Sequence, residues 1–527
     1  MAGRDINVQP AWIQGYTGCN VYVGVVDDGV ECTHPDLLKN YIASLGWNYL
    51  DGTSNPFPGE TEGKCYSHGT SCAGEVGMTK SNSYCGAGVA YNAGISGIRL
   101  IGKTGITDIQ VANALSHLNN DIHIYSNSWG PTDDGMTVQG PGTGRRGRGS
   151  IYVWAAGNGG RQFDSCAADG YVNSIYTIPI GAASSTGEPA SYDEPCSGKM
   201  AVAFVDNPNR SLQVSTTSIF GSCTDTFSGT SSATPLVSGV LALVLEAIPS
   251  LTWRDIQYLI VYTANPNILS SAGWKMNGAG RQFHLNFGFG AIDAEAMVTR
   301  AKHWITVPAQ VTSSVSVATT STVNAYSSRD YSFTYTDAIR YLEHVVIRTT
   351  LTISGVSGAA YSDWPFKSLH FWGENPAGTW TITVAYNGTF GTVIVSNTTA
   401  IFYGTSQTPQ AVPPACDQAC AHGCFGTGPS NCDVCAPRYY RDIATLTCTL
   451  TCTSGTAANG YCYNPSDRDP VCARSNPPSS ARGTCADSTS STAQLMVNGL
   501  IVMMVATLVQ VTGFAVQALE LIVERCS

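Results

Sequence analysis

The sequence predicts an α/β domain built on a parallel sheet flanked by helices, then an antiparallel β-sandwich, a disulfide-stapled module and an apolar C-terminal segment. Three observations carry this. Up to Trp304 the chain alternates continuous apolar runs, at 21–26 (V-Y-V-G-V-V), 122–126 (I-H-I-Y-S) and 150–156 (S-I-Y-V-W-A-A), with helically spaced segments such as 106–118. Unbroken apolar runs of this kind are strands covered on both faces, as in parallel sheets. From Ile305 to Thr405 the texture becomes alternating Thr, Ser, Val and Tyr with few helix signals, the pattern of a sandwich. From Cys416 onward cysteines crowd together with too little apolar mass for a core, so disulfides are the expected staple.

At 527 residues the chain exceeds one ordinary core, and roughly three or four units are expected. The texture places them at 1–304, 305–405, a Pro-rich linker at 406–415, a cysteine-rich region at 416–490 and a candidate transmembrane segment at 493–523. Apolar residues make up 43% and charged ones 12%, and the formal charge of -10 argues against a nucleic-acid footprint while favouring cationic peptides as partners. Nineteen cysteines, eight before residue 230 and eleven after residue 415, point to an oxidising, secretory environment. Acceptor sequons at Asn209, Asn387 and Asn397 agree with that compartment. The close cysteine spacing within 416–435, with a C-x-x-C at 432–435, also suits zinc, but in a secreted chain of this cysteine content disulfides are the reading.

The segment 493–523 carries no charge until Glu520 and is long enough to cross a bilayer, although Asn498, Gln510 and Gln517 interrupt it. A peripheral helix or a removable lipid-anchor signal has the same composition. The expected location is therefore a secretory-pathway membrane, Golgi or cell surface, with a single span and the folded domains lumenal or extracellular. At the other end M-A-G-R-D-I-N-V has no basic-then-apolar signal segment.

Three short motifs carry chemistry. V-V-D-D-G-V ends an apolar strand with carboxylates at Asp27 and Asp28, S-H-G-T-S-C-A-G places His68 at a helix start, and S-G-T-S-S-A-T-P places Ser231 at another. A helix start exposes unpaired N–H groups and the positive end of the macrodipole, where developing negative charge is favoured. Serine hydrolysis needs a hydroxyl, a neutral imidazole to take its proton and a buried carboxylate to fix the tautomer. Each motif alone reads as a turn or a helix cap.

Together, in this order and with their flanks, the motifs resemble the subtilisin superfamily and, within it, the kexin and furin group of proprotein convertases. The similarity includes D-D-G-V-E-C-T-H-P-D-L, H-G-T-S-C-A-G-E-V, I-Y-S-N-S-W-G-P-T-D-D-G, V-W-A-A-G-N-G-G and D-S-C-A-A-D-G-Y-V-N-S-I-Y-T, and runs from about Arg4 to Trp304. More thinly it continues through a P domain, with Y-L-E-H-V-V-I-R-T-T-L-T and N-P-A-G-T-W-T-I-T-V, into a furin-like cysteine-rich repeat. The resemblance implies a subtilisin-like fold in which Asp27 orients, His68 is general base and acid, Ser231 is the nucleophile and Asn158 donates to the oxyanion. It makes Cys72 a free buried thiol rather than a nucleophile.

The resemblance also implies a substrate strand at Ser128, Trp129 and Gly130, carboxylates of the primary pocket at Asp133 and Asp169, and Asp28 facing the preceding substrate residue. Cleavage after Lys-Arg or Arg-Arg follows. Acidic family positions appear here as Cys65, Gly105 and Gln139, so little demand is expected for a basic residue four positions upstream of the cut. Two calcium sites are implied: Asp36 and Asn82 with carbonyls of the loop containing Thr79, Tyr84 and Gly86, and Asp133, Asp164 and Glu194 near the primary pocket. Disulfides Cys85–Cys223 and Cys166–Cys196 are implied as well, with Cys32 and Cys65 as a further candidate pair.

The family pattern departs in three places. Signal and inhibitory pro-segment are absent, and such domains generally need that segment as a folding template. Between Pro141 and Ile151 a family helix is missing, and the P domain is shortened between Leu351 and Trp364. Two readings follow: a membrane-anchored, calcium-dependent serine endoprotease, or a catalytically impaired paralogue or mis-assembled gene product acting as a surface binding protein.

Overall fold

The computed structural model describes residues 4–61, 64–102, 105–130, 144–207, 213–269, 272–318, 321–354, 360–389, 391–410, 416–420, 424–436, 438–442, 445–452, 456–458, 461–463 and 519–525. Seven strands form one parallel sheet: β1 (Tyr22–Asp27), β2 (Trp47–Asn48), β3 (Gly94–Arg99), β4 (Ile124–Asn127), β5 (Ile151–Ala155), β6 (Thr177–Ser184) and β7 (Ala201–Asp206). Their order is β2-β3-β1-β4-β5-β6-β7, every pairing is parallel, and β1, β5 and β6 are buried along their whole length. The three apolar runs of the sequence thus become β1, β4 and β5. Because β1 sits between β3 and β4, the chain reverses its direction of winding there, and parallel sheets place functional groups at the carboxyl ends of strands flanking such a point.

Helices cover both faces: α1 (Val8–Ile13), α2 (His68–Gly77), α3 (Asp108–Leu115), α4 (Thr230–Ala247), α5 (Trp253–Thr263) and α6 (Ala294–Ala301). α3 starts at a capping box between Thr107 and Gln110, inside the 106–118 helical segment. α4 is apolar on nearly all sides because it runs through the core; 83% of its apolar window is buried in protein, and it is the only helix among the described residues long and apolar enough to cross a membrane. An antiparallel hairpin, β8 (Val214–Ser218) with β9 (Ser222–Phe227), lies on α2, where Thr216 and Thr217 donate to the carbonyls of Ser71 and Thr70, both at 2.7 Å.

The connection from β4 to β5 contains, among the described residues, only a short 3-10 turn at Arg145–Gly147. The buried Arg145 guanidinium bridges this shortened crossover by donating to Gly149 O and Pro249 O, each at 3.3 Å.

Residues 305–405 form the expected sandwich. One sheet takes Val311–Val317, Thr392–Thr405, Tyr341–Ile353 and Ala360–Ser368 in that order, with Ser321–Asn324 also paired to Thr392–Thr405. The other takes Ser327–Tyr335 and Gly378–Tyr386. Tyr335, Trp380 and Phe402 fill the space between them. The 351–364 shortening leaves a bulged hairpin, with strand on both sides of it. The sandwich is tied to the α/β domain by the buried ion pair Arg254–Glu343, by Tyr258 Oη donating to Glu343 Oε1 at 2.9 Å, and by contact of Gln257 with His344 at 3.1 Å.

One boundary needs correction. Leu519–Arg525, overlapping the end of the segment read as a membrane span, is an antiparallel strand on Gly378–Tyr386, with its backbone paired in a ladder rather than in a helix. Residues 493–518 lie outside the described residues. In the cysteine-rich region the disulfides are Cys416–Cys424, Cys420–Cys432, Cys435–Cys448 and Cys452–Cys462. This module rests on α6 through Arg300–Asp433 at 3.1 Å and Arg441–Glu295 at 3.0 Å. Asn387 and Asn397 are exposed; Asn209 lies outside the described residues.

Candidate active site

The site assembles from three element ends. Asp27 is the last residue of β1, His68 the first of α2 and Ser231 the second of α4. His68 Nδ1 lies 2.9 Å from both oxygens of Asp27, which is buried, while the imidazole keeps its other edge partly open to solvent. The Asp27 carboxylate raises the proton affinity of His68; burial opposes and the neighbouring Cys72 adds to it.

Ser231 comes with a structural device that its motif only hinted at. Pro235 has no N–H, so the carbonyl of Ser231, four residues earlier, has no helical partner. Ser128 Oγ donates to that carbonyl at 2.9 Å and Cys72 Sγ approaches it at 3.6 Å. Cys72 also stands 3.9 Å from Asp27 Oδ2 and from His68 Nδ1, so one buried thiol links all three triad residues. Ser231 Oγ itself donates to Ser128 O at 3.3 Å.

Asn158 follows β5 and is exposed. Its Oδ1 accepts from the N–H of Thr230 at 2.9 Å and from the Thr230 hydroxyl at 3.1 Å, which turns the amide nitrogen outward beside the first turn of α4. In that turn the Thr230 N–H goes to Asn158 and the Ser232 N–H to Gly229 O at 3.0 Å, which leaves the Ser231 N–H on the side of Asn158. Thr230, which fixes this arrangement, was not singled out by the sequence; only its place in G-T-S could have suggested it.

The specificity residues divide. Asp28 is buried and accepts from the N–H groups of His68 (3.1 Å) and Gly69 (2.7 Å), capping α2; burial, and then the Asp27 charge, raise its pKa to about 7. Trp129 packs edge-on against Trp154 and Tyr171, holding Gly130 at the surface. Asp169 Oδ1 accepts from Tyr171 N at 2.6 Å and Val172 N at 2.9 Å. Its Oδ2 is directed to Gly130, where a Cβ would stand 2.7 Å away, so only glycine leaves that oxygen reachable. Burial raises the Asp169 pKa to about 6. Asp133 lies outside the described residues.

The residues expected to hold cations fit that role chemically. Asp36 Oδ2 and Thr79 Oγ1 are buried without a hydrogen-bond partner among the described residues, next to Asn82, whose amide nitrogen donates to Asp36 Oδ1 at 2.6 Å. Tyr84 donates its hydroxyl to Gly221 O, and Cys85–Cys223 pins the same loop, up to Gly86, to the β8–β9 hairpin. At the second site Asp164 and Glu194 converge: a Cβ on Gly159 would lie 3.0 Å from both Asp164 Oδ2 and Glu194 Oε1, a cradle kept open by the absence of that carbon. Both donor sets consist of hard oxygens. Cys166–Cys196 ties the turn that precedes Asp169 to the chain just after Glu194. Cys32 is disulfide-bonded, and the Cys65 side chain lies outside the described residues.

The pattern of the subtilase family matches residues 18–291, and that of the proprotein convertase P-domain residues 345–397. The chain is 39% identical to neuroendocrine convertase 2 of Homo sapiens over 463 residues, 77% of this chain and 72% of that protein. It is 40% identical to furin-like protease 2 of Drosophila melanogaster and 36% identical to proprotein convertase subtilisin/kexin type 5 of Mus musculus, covering 77% and 86% of this chain. In both cases it spans 28% of the relative's length. The crystal structure of a serine protease of Aeromonas sobria superposes with a TM-score of 0.59 at 18% identity, over 74% of this chain and 89% of that one, a likeness of fold. The chain belongs to the subtilase family and, within it, to the kexin/furin-like proprotein convertases, serine endopeptidases of the subtilisin type.

Proposed function

We propose that the chain is a calcium-dependent serine endoprotease that cleaves secretory precursor proteins after paired basic residues. The observation that carries this reading is the Asp27–His68 pair set against Ser231, with the Asp169 carboxylate behind Gly130. His68 takes the Ser231 proton as Oγ attacks the scissile carbonyl, Asp27 holds the imidazole in the tautomer that can accept it, and the oxyanion falls to Asn158 and the α4 N–H groups. His68 then returns the proton to the leaving amine. Asp169 and Asp133 bind the guanidinium or ammonium of the residue before the cut, and Asp28 the residue before that. Calcium, when bound, would neutralise the convergent carboxylates and stiffen the loops; Asp36, Asn82 and the Thr79, Tyr84 and Gly86 carbonyls would hold one ion, Asp133, Asp164 and Glu194 another.

Disulfides from Cys85–Cys223 and Cys166–Cys196 through the four of the cysteine-rich region support an oxidising secretory compartment. Glycosylation at the exposed Asn387 and Asn397, attachment by the apolar segment 493–518, identity of the cysteine-rich module as a furin-like repeat, and an inhibitory pro-segment as partner belong to the same proposal.

Fluorogenic peptides test it. Kcat/KM is expected to fall by about two powers of ten or more when the arginine at the cut, or the basic residue before it, is replaced by a neutral one, and by less than tenfold when only the fourth residue upstream is changed. A large loss from the upstream change alone overturns the specificity. Chelation with EGTA should abolish turnover and lower the melting temperature, and added calcium should restore both; full activity in EGTA would remove calcium from the reading. Asn158→Ala is expected to lower kcat by about two to three powers of ten with KM nearly unchanged; a change mainly in KM would place Asn158 in ground-state binding instead.

A further inference from the structure

The oxyanion side of the site is built from two segments far apart in the sequence, residues 157–160 after β5 and Gly229 before α4. Gly229 is the N-cap of α4, with φ 92° and ψ 169°. A Cβ there would stand 3.4 Å from Asn158 Oδ1, 3.6 Å from Asn158 Nδ2 and 3.6 Å from Ser231 N, so the missing carbon keeps open the space between that amide and the nucleophile's N–H. The positive φ makes the same demand for glycine. Where Gly229 sits therefore sets the width of that space.

Both segments are held by one run, residues 192–194. The Tyr192 hydroxyl accepts the Gly229 N–H at 3.0 Å, a group that as an N-cap has no acceptor inside its own helix. The Tyr192 carbonyl accepts the Gly160 N–H at 2.9 Å, and Glu194 Oε1 accepts the Gly159 N–H at 2.7 Å. The run has its own anchor: Asp193 is buried, pairs with Lys199 and accepts from Ala182 N, in β6, at 2.8 Å. The ring of Tyr192 packs against the main core of the α/β domain, which fixes where its hydroxyl can lie.

Resting on the reading of Asn158 as the oxyanion donor, we propose that Tyr192 is a positioning residue for that donor: its hydroxyl and its carbonyl hold the two walls of the oxyanion space, Gly229 and residues 157–160, at the separation that lets Asn158 Nδ2 and the Ser231 N–H reach one oxygen. Tyr192 touches no reacting atom. It acts through Gly229 on the next residue, Thr230, whose N–H and hydroxyl aim the Asn158 amide. Its effect belongs to the transition state, because the oxyanion draws on these donors more strongly than the ground-state carbonyl does.

Tyr192→Phe, made in the full chain, keeps the ring and removes the acceptor. Per active site titrated, kcat on a dibasic fluorogenic peptide should fall by about tenfold, the scale of one N–H left unpaired, with KM changed by less than about twofold. A peptidyl boronate, whose tetrahedral adduct with Ser231 mimics the transition state, should bind about tenfold more weakly. In an Asn158→Ala background the same change should cost less than about twofold further, because the amide it positions is gone. A tyrosine that only stabilises the fold predicts the full loss on top of Asn158→Ala, or fewer titratable sites with kcat per site unchanged; either result overturns the inference. Loss of every titratable site on this one-oxygen change overturns it as well, by making Tyr192 a folding residue. If Asn158→Ala leaves kcat unchanged, the oxyanion reading falls and the inference with it, whereas a large Asn158→Ala effect beside an inert Tyr192→Phe removes the inference alone.

Discussion

Ser231→Ala should lower kcat by about six powers of ten while KM for a dibasic peptide changes little, because the hydroxyl that is lost takes part only in bond making. Labelling by an active-site serine probe should vanish with it. No neighbour can take over: the nearest thiol, Cys72, is buried, and burial pushes its pKa up to about 12, leaving essentially no thiolate at neutral pH. His68→Ala should cost nearly as much, and the double variant no more than either alone, since the two residues act as one unit. Persistent labelling of the Ser231→Ala protein would transfer the nucleophile to another residue and end the assignment. The measurement needs no knowledge of the natural substrate.

Asp27→Asn should lower kcat by about four powers of ten with the backbone geometry intact. An amide donates where the carboxylate only accepts, so His68 Nδ1 is driven to the tautomer that leaves Nε2 protonated and unable to receive the Ser231 proton. The pH profile gives a second reading. The base works as the neutral imidazole, so activity is lost as pH falls through the His68 midpoint, and Asp27 raises that midpoint. Removing the carboxylate should therefore move the acid limb of the residual activity to lower pH. A kcat within tenfold of the parent, or an acid limb that stays in place, would show that Asp27 does not govern the imidazole.

Much of the fold was legible because parallel sheets bury strands on both faces, which writes them as unbroken apolar runs; 21–26, 122–126 and 150–156 became β1, β4 and β5 with ends shifted by one or two residues. The triad was legible for a different reason. Its members sit at element termini, and termini carry local signatures, an acid pair after a strand or a Ser/Thr cluster before an apolar helix. At 519–523 the segment expected to span a membrane ends in a strand instead, since hydropathy alone cannot say that apolar residues will find a sheet edge to pair with.

By itself the sequence set an α/β domain ahead of a sandwich and a cysteine-rich module, and singled out Asp27, His68 and Ser231. Only the tertiary structure decided what those residues touch: the freed Ser231 carbonyl taken by Ser128 and Cys72, Thr230 turning Asn158 outward, and the Lys367 N–H donating from another domain to Asn173, which in turn donates to the Asp169 carbonyl. Periodicity and caps are read within a few residues along the chain, whereas these contacts join positions from about 70 to nearly 200 residues apart, and no local pattern encodes which distant groups a closed core brings within a hydrogen bond.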